Sequence, residues 1–227
     1  MQAKKYKSEL ISILNPFEGI YTIEFKSIGK RFKYYSGQFL HLAIDEDYDG
    51  VDQWPDSRCF SMQSNPNEET IRITYAVKGS FTKLMEKSLK PGSKVWLKLP
   101  YGDLFQQEHD KANTVFIAGG TGITPYLSLF NHITFEEYTN PKVYLGFRSE
   151  NYNIYQKELN NLYNSNSLVQ YVYQDTVGTL DINKIFEENG PTANYFISGP
   201  PIMIKSFKQA LIEKKVPNEN VLTDDWE

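Results

Sequence analysis

Along residues 1–105 the hydrophobic positions recur at every second residue. Tyr21, Ile23 and Phe25 alternate with Thr22, Glu24 and Lys26; Ile71, Ile73, Tyr75 and Val77 alternate with Arg72, Thr74 and Ala76; Val95, Leu97 and Leu99 alternate with Lys94, Trp96 and Lys98. A period of two predicts strands with one face in a core. The runs are short and separated by turn-forming groups: Asn15-Pro16, Ser36-Gly37, Asn65-Pro66-Asn67 and Pro91-Gly92. Such spacing predicts an antiparallel barrel or sandwich, interrupted by one helix over 81–88.

After the polar stretch 106–113, which reads as a linker, the period changes. Strands are predicted at 114–118, 142–146, 168–173 and 194–198, and helices at 122–136, 152–162, 181–188 and 201–213. Helical spacing is visible in Tyr155, Leu159 and Leu162, and again in Met203, Phe207 and Leu211. Alternation of strand and helix predicts a parallel sheet with helices on both faces. The chain therefore divides into a β-barrel domain over 1–105, the linker 106–113, and an α/β domain over 114–227.

Chemistry concentrates where strands end. In 115–125, VFIAGGTGITP, an apolar run breaks into Gly119, Gly120 and Gly122 and then opens a helix, with Pro125 suited to its first turn. Glycines let the backbone approach a ligand, and amides at a helix start favour an anion, so a phosphate suits this turn. Arg58-Cys59-Phe60-Ser61 offers a guanidinium fork, a ring and a hydroxyl on one strand. Lys78-Gly79-Ser80-Phe81-Thr82 leads into the helix at 81–88, with Ser80 available as a cap. Ser198-Gly199-Pro200-Pro201-Ile202-Met203 ends the last predicted strand, on the edge where ligands of parallel sheets lie. Each of these alone also fits an ordinary turn, cap or amphipathic strand.

Composition narrows the classes. A formal net charge of -4 and a pI near 5.5 give no electrostatic reason to expect nucleic acid. No apolar run is long enough to cross a bilayer and no secretory h-region follows the N-terminus, so no membrane insertion is expected and the cytoplasm is the default location. One cysteine, Cys59, and the scattered His41, His109 and His132 exclude a disulfide framework and a four-thiolate cluster, and no metal site is expected. The acidic stretch 45–57 reads as solvated surface that could also rim the site beside Arg58.

Taken together and in order, Arg58-Cys59-Phe60-Ser61, the 79–82 turn, Pro100-Tyr101-Gly102, the 119–125 turn and Ser198-Gly199-Pro200-Pro201-Ile202-Met203 resemble the ferredoxin-NADP reductase superfamily. The resemblance implies an FAD-binding barrel followed by an NAD(P)H-binding domain. It implies that Arg58 meets the flavin phosphates, Phe60 packs on the flavin and Ser61 hydrogen-bonds near its N5. Gly79, Ser80, Phe81 and Thr82 would hold the FAD pyrophosphate. Gly119, Gly120, Thr121, Gly122 and Pro125 would hold the nicotinamide nucleotide, with Gly199, Pro200 and Met203 along its path. Ser61, Ser198, Thr121 and Asp224 are the expected catalytic residues, and Asp224 and Trp226 match the family's acidic-x-aromatic ending, with Trp226 covering the flavin.

Two residues depart from the family's pattern: Phe60 stands where a Tyr is usual, and Ser198 where the last motif commonly has Cys. Arg148 and Ser149 follow the 142–146 strand with no acid in the immediate turn, which tilts the nucleotide toward NADPH over NADH. The implied activity is NAD(P)H-dependent flavin reduction with electron release to a separate acceptor: a ferredoxin or flavodoxin, an oxygenase component, a haem protein or a ferric chelate. The alternative is a redox-silent nucleotide-binding or docking subunit that keeps the fold. Oligomeric state is not legible.

Overall fold

The computed structural model describes residues 1–45, 47–159, 162 and 168–224. The chain divides into two compact units: Met1–Asp103 with Thr124–His132, and Leu104–Ile123 with Ile133–Glu227.

The first unit is built on β1 (Lys4–Phe17), β2 (Ile20–Ser27), β3 (Phe39–Ala43), β4 (Ser57–Ser61), β5 (Thr70–Ala76) and β6 (Lys94–Tyr101). Every pairing is antiparallel, in the order β4-β3-β6-β1-β2-β5. The edges meet just beyond β4, where Gln63 N donates to Arg72 O of β5 at 2.8 Å. The alternating positions do what their period predicts: Ile23, Phe25, Ile71, Ile73, Val95, Leu97 and Leu99 are all buried in one core. Each such side chain contributes roughly 1.5–3 kcal/mol of burial. The helix α1 (Ser80–Ser88) closes that core with Phe81 and Met85.

The second unit carries β7 (Thr114–Gly119), β8 (Lys142–Phe147), β9 (Leu168–Tyr173), β10 (Asn194–Ser198) and β11 (Val221–Thr223). They form a fully parallel sheet in the order β11-β10-β7-β8-β9. Val115, Ile117, Tyr195 and Ile197 point into one layer, with Ile204, Phe207 and Leu211 of the later helix 201–213. Phe116 and Phe196 stack on the other face at 5.4 Å, joined by Phe105, His109 and Tyr138. Both faces are thus covered, as parallel strands require.

Two predicted helices differ from the observed ones. The helix expected at 122–136 is a 3₁₀ turn (Gly120–Ile123), a short helix α2 (Thr124–Phe130) and a second 3₁₀ turn (Ile133–Glu137). Its backbone tightens when His132 N turns to Leu129 O, and the Asn65 amide of the barrel unit captures the Asn131 carbonyl. The helical spacing of Ile123, Leu127 and Phe130 is real, but tertiary capture ends the element early. The helix expected at 152–162 is a 3₁₀ turn (Glu150–Tyr152) followed by α3 (Gln156–Leu159), beyond which part of the segment lies outside the described residues. A short α4 (Gln174–Val177) and the edge strand β11 have no counterpart in the sequence pattern, whereas α5 (Ile182–Asn189) and α6 (Pro201–Glu213) fall where periodicity places them.

Candidate functional site

In the barrel unit, chemistry gathers where β4 passes the start of α1. Arg58 and Phe60 are two apart on β4 and so share a face. Phe60 is buried in the core, edge-on to Tyr75 at 6.0 Å, and Arg58 remains exposed with its guanidinium 5.1 Å from the centre of the Phe81 ring. Arg58 therefore stands beside the first turn of α1. Gly79 is the N-cap in extended conformation, and a Cβ there would meet nothing within 4 Å. The amides of Ser80, Phe81 and Thr82 have no partner within the helix. A guanidinium, a helix start and open space before a glycine together suit a phosphate group.

The cap is made differently from expectation. Ser80 makes no capping bond; instead Thr82 Oγ1 accepts from Lys78 N at 2.9 Å and Gly79 N at 3.1 Å. These bonds hold the turn before the helix.

Asp56 is a residue that the sequence pattern does not single out. Its Oδ1 accepts from Arg58 Nη1 at 2.6 Å, and Arg58 also donates to Ser57 O at 2.7 Å. Other described parts of the acidic stretch are engaged elsewhere. Lys5 donates to Tyr48 Oη, Gly50 O and Asp52 O, and Trp96 Nε1 donates to Tyr48 O at 2.9 Å, fastening the loop to the outer face of the barrel. Asp45 and Asp49 accept from the loop's own amides, and those bonds hold the Asp49 carboxyl below its ordinary range. Among the described residues of that loop, Asp56 is the one whose carboxylate accepts a bond from Arg58.

Ser61, at the end of β4, is buried and faces Phe39 of β3 in register. Cys59, two residues earlier on the same face of β4 and opposite to Arg58 and Phe60, has its Sγ 3.5 Å from His41 Nε2, with Tyr101 edge-on to the imidazole at 4.7 Å. Burial and the nearby Lys98 lower the His41 pKa, favouring neutral imidazole.

In the sheet unit, β7 and β10 are parallel neighbours with Ala118 opposite Ser198. Their carboxyl-end turns therefore meet, as the motif positions require. A Cβ at Gly122 would stand 2.4 Å from Gly199 Cα and 2.5 Å from Gly199 N; a Cβ at Gly119 would stand 3.0 Å from Met203 Sδ and 3.1 Å from Pro200 Cδ. Gly122 must be glycine for these turns to close on each other, whereas a side chain at 119 would require Met203 and Pro200 to give by a few tenths of an ångström. Gly120 differs: its φ of 55° favours glycine, yet an added Cβ would meet nothing within 4 Å, so open space lies before it. Thr121 sits half-buried in the same turn, and Pro125 is buried in α2. Because α2 has only seven residues, the anion preference of this turn rests on its glycine backbone more than on a helix dipole.

Ser198 is 1% exposed and its Oγ donates to Asp224 Oδ2 at 3.0 Å, while Asp224 N donates to Ile197 O at 3.0 Å. The last motif and the chain's acidic ending are thus joined. Trp226 lies outside the described residues. At the end of β8, Arg148 is exposed with its guanidinium 5.8 Å from the Tyr152 ring, and Ser149 caps the following turn without a side-chain bond. Asp175 N donates to Arg148 O at 3.1 Å, bringing a carboxylate-bearing residue from beyond β9 to the same edge. Nothing in local sequence spacing signals that neighbour.

No described helix is long and apolar enough to cross a membrane. Comparison with known proteins matches residues 116–209 to the oxidoreductase NAD-binding domain family. Flavohemoprotein A of Dictyostelium discoideum is 26% identical over 204 residues, covering 83% of this chain and 51% of its own length. One component of the Na(+)-translocating NADH-quinone reductase of Methylococcus capsulatus is 27% identical over 235 residues, covering 85% of this chain and 57% of its own. The chain thus spans about half the length of the curated relatives it matches. Among solved structures, a ferredoxin NADP+ reductase from Neisseria gonorrhoeae with bound FAD and NADP superposes with a TM-score of 0.79 at 17% identity, over 94% of this chain and 92% of that one. Residues 116–209 thus match the oxidoreductase NAD-binding domain, and the antiparallel barrel followed by a parallel sheet has the fold of the ferredoxin NADP+ reductase, to whose superfamily the ordered motifs are similar.

Proposed function

We propose that the chain is an FAD-dependent NAD(P)H oxidoreductase that passes electrons to a separate acceptor. The observation that supports this reading is that each unit has a glycine turn with open space before it, suited to a phosphate. One lies at Gly79 beside Arg58, and the other at Gly120 between the interlocked 119–122 and 199–203 turns. Two such turns suit a flavin dinucleotide and a nicotinamide dinucleotide. In this reading the barrel unit holds FAD and the sheet unit holds the nicotinamide nucleotide.

When bound, the nicotinamide supplies a hydride and the flavin accepts it and releases electrons singly or in pairs. The chain's own contribution is binding and orientation. Arg58 and the α1 first-turn amides neutralise a pyrophosphate, and Ser61 holds a hydroxyl at the end of β4 for hydrogen bonding to the flavin ring. Phe60 supplies an apolar edge there. Gly120 admits the second dinucleotide close to the backbone, while Gly119 and Gly122 let the two turns close on each other, with Thr121 and Met203 at the sides. Ser198, held by Asp224, presents a fixed polar group at the carboxyl end of β10.

Arg148 and Ser149 favour a nucleotide bearing a 2′-phosphate, so NADPH is the proposed donor, with the Asp175 carboxylate the group that would favour a ribose diol instead. The acceptor is proposed as a ferredoxin or flavodoxin, an oxygenase component, a haem protein or a ferric chelate. Anaerobic titration of the purified, FAD-loaded protein with NADPH and separately with NADH tests the reading. Bleaching of the visible flavin spectrum at lower NADPH than NADH is the expected result; a protein that takes up no FAD and responds to neither nucleotide overturns it in favour of a redox-silent role.

A further inference from the structure

Ser61 is the last residue of β4, and the run that follows it closes the barrel. β4 and β5 stand at the two ends of the sheet order, so the ladder reaches Ser61 from β3: Phe39 lies opposite it, and Met62 N donates to Gln38 O at 3.0 Å. On the β5 side the residues just beyond Ser61 make the join. Gln63 N donates to Arg72 O at 2.8 Å, and Arg72 N donates to Ser64 Oγ at 2.5 Å. Gln63 is 2% exposed, and its side chain reaches along β5, where Oε1 accepts from Thr74 Oγ1 at 2.6 Å. Thr74 sits opposite Thr22 of β2, their hydroxyl oxygens 2.8 Å apart. Because the Thr74 hydrogen goes to Gln63, Thr22 is the donor in that second bond. A chain of hydroxyls thus runs from β2 through β5 and ends on the amide two residues past Ser61.

A buried amide is costly unless its bonds are made, and a methionine of similar length would fill the same space without that requirement. What the amide adds is register. In a strand whose faces alternate, a shift of two residues returns every side chain to its own face, so apolar burial alone tolerates it; a directed bond in the interior does not. Bonds that polarise one another along a chain hold that direction more firmly. We infer that Gln63, held by Thr74, is a positioning residue that fixes Ser61 by locking the run beyond β4 to β5. The inference rests on the reductase reading above, in which the Ser61 hydroxyl serves the flavin ring, and every group in it belongs to the barrel unit.

The test uses the FAD-loaded protein and reads its two-electron midpoint potential, which follows hydrogen bonding to the flavin ring, beside its melting temperature. Ser61→Ala sets the reference shift. Gln63→Met and Thr74→Val remove the acceptor and the donor of one bond. Each is expected to move the potential in the direction of Ser61→Ala, by a roughly threefold change in relative affinity for oxidised and reduced flavin, about 15 mV for a two-electron couple. Added to Ser61→Ala, Gln63→Met shifts it no further, because its effect passes through the missing hydroxyl. Thr22→Val leaves the bond between Thr74 and Gln63 in place and lowers only the melting temperature. If the wild type takes up FAD and Gln63→Met and Thr74→Val lower the melting temperature without moving the potential, Gln63 is structural only and the positioning role is overturned while the reductase reading stands. A Ser61→Ala protein with unchanged potential, or a further shift when Gln63→Met is added to it, overturns the role in the same way. If the wild type takes up no FAD, the reductase reading fails and this inference falls with it.

Discussion

Ser198 donates its hydroxyl hydrogen to Asp224 across 3.0 Å, joining the end of β10 to the residue just after β11. With Ser198 only 1% exposed, the bond is sheltered from water. Removing the donor by Ser198→Ala is expected to cost about 1 kcal/mol, because the half-buried Asp224 carboxylate loses a buried partner. Urea unfolding checks this. Ser198→Cys, which keeps volume but donates weakly, should recover only part of the loss. Equal stability of all three proteins would mean that water replaces the hydroxyl and the pair holds nothing.

Gly122 and Gly120 should respond differently to alanine. At Gly122 the new methyl would lie 2.4 Å from Gly199 Cα, and the obstructing atoms are backbone. The two turns must separate, so Gly122→Ala is expected to weaken nicotinamide-nucleotide binding by roughly a hundredfold and to destabilise the sheet unit by ~2–3 kcal/mol. At Gly120 the space is open and only the positive φ of 55° resists, so Gly120→Ala costs about 1 kcal/mol. Isothermal titration with NADPH and thermal melts separate the two; similar losses at both positions would contradict the interlocked turns.

How far the sequence carries can be judged from these same places. Period-two and helical patterns locate the barrel strands and α5 and α6, because their apolar faces are decided by local spacing. The strand ends carrying Arg58, Gly79, Gly119 and Gly199 are legible for the same reason: a glycine after a strand is a local signal. What escapes is set by contacts distant in sequence. The pattern over 122–136 overstates the helix because the capture of Asn131 by Asn65 is invisible in spacing. Asp56 reads as solvated surface, although it is two residues from Arg58, because strand geometry alone does not say that the guanidinium turns back onto it. The Ser198–Asp224 bond depends on β11 adding to the sheet edge, a three-residue strand with no pattern of its own.

Acid should weaken the fold through His109. Its Nδ1–H donates to Gln107 O at 2.7 Å, and Nε2 accepts from the Tyr138 hydroxyl at 2.8 Å, so both nitrogens are satisfied in the neutral ring. Burial against Phe196 and Tyr138 lowers its pKa below the ordinary 6.5, with Lys111 adding to the shift and the Gln107 bond and Asp110 opposing it. The unfolded chain then binds more protons than the folded one just below pH 6.5, so this stability is complete above that value and is lost as pH falls through it. Unfolding free energy measured from about pH 7.5 to about pH 5.5 is expected to decline, part of it from His41, whose pKa is lowered in the same direction. His109→Gln should flatten the curve and His109→Gln with His41→Gln flatten it further. An undiminished slope in the double variant would assign the acid sensitivity to carboxylates instead.

The last expectation concerns the carboxylate that Arg58 now holds. Asp56 Oδ1 lies 2.6 Å from Arg58 Nη1, with the two side chains 76% and 49% exposed, so the pair itself is worth only ~0–1 kcal/mol in water. In the proposed function a flavin pyrophosphate must take the same guanidinium fork, and the neighbouring carboxylate opposes it both by competition and by like charge. Asp56→Asn is therefore expected to tighten FAD binding by a few-fold, with the gain shrinking as salt is raised. Arg58→Ala should weaken it by about tenfold or more, since a charge-assisted bond to phosphate is lost. Quenching of flavin fluorescence on titration into apoprotein reads both. Weaker FAD binding in Asp56→Asn would show that Asp56 holds Arg58 in its binding orientation and does not compete with the phosphate for it.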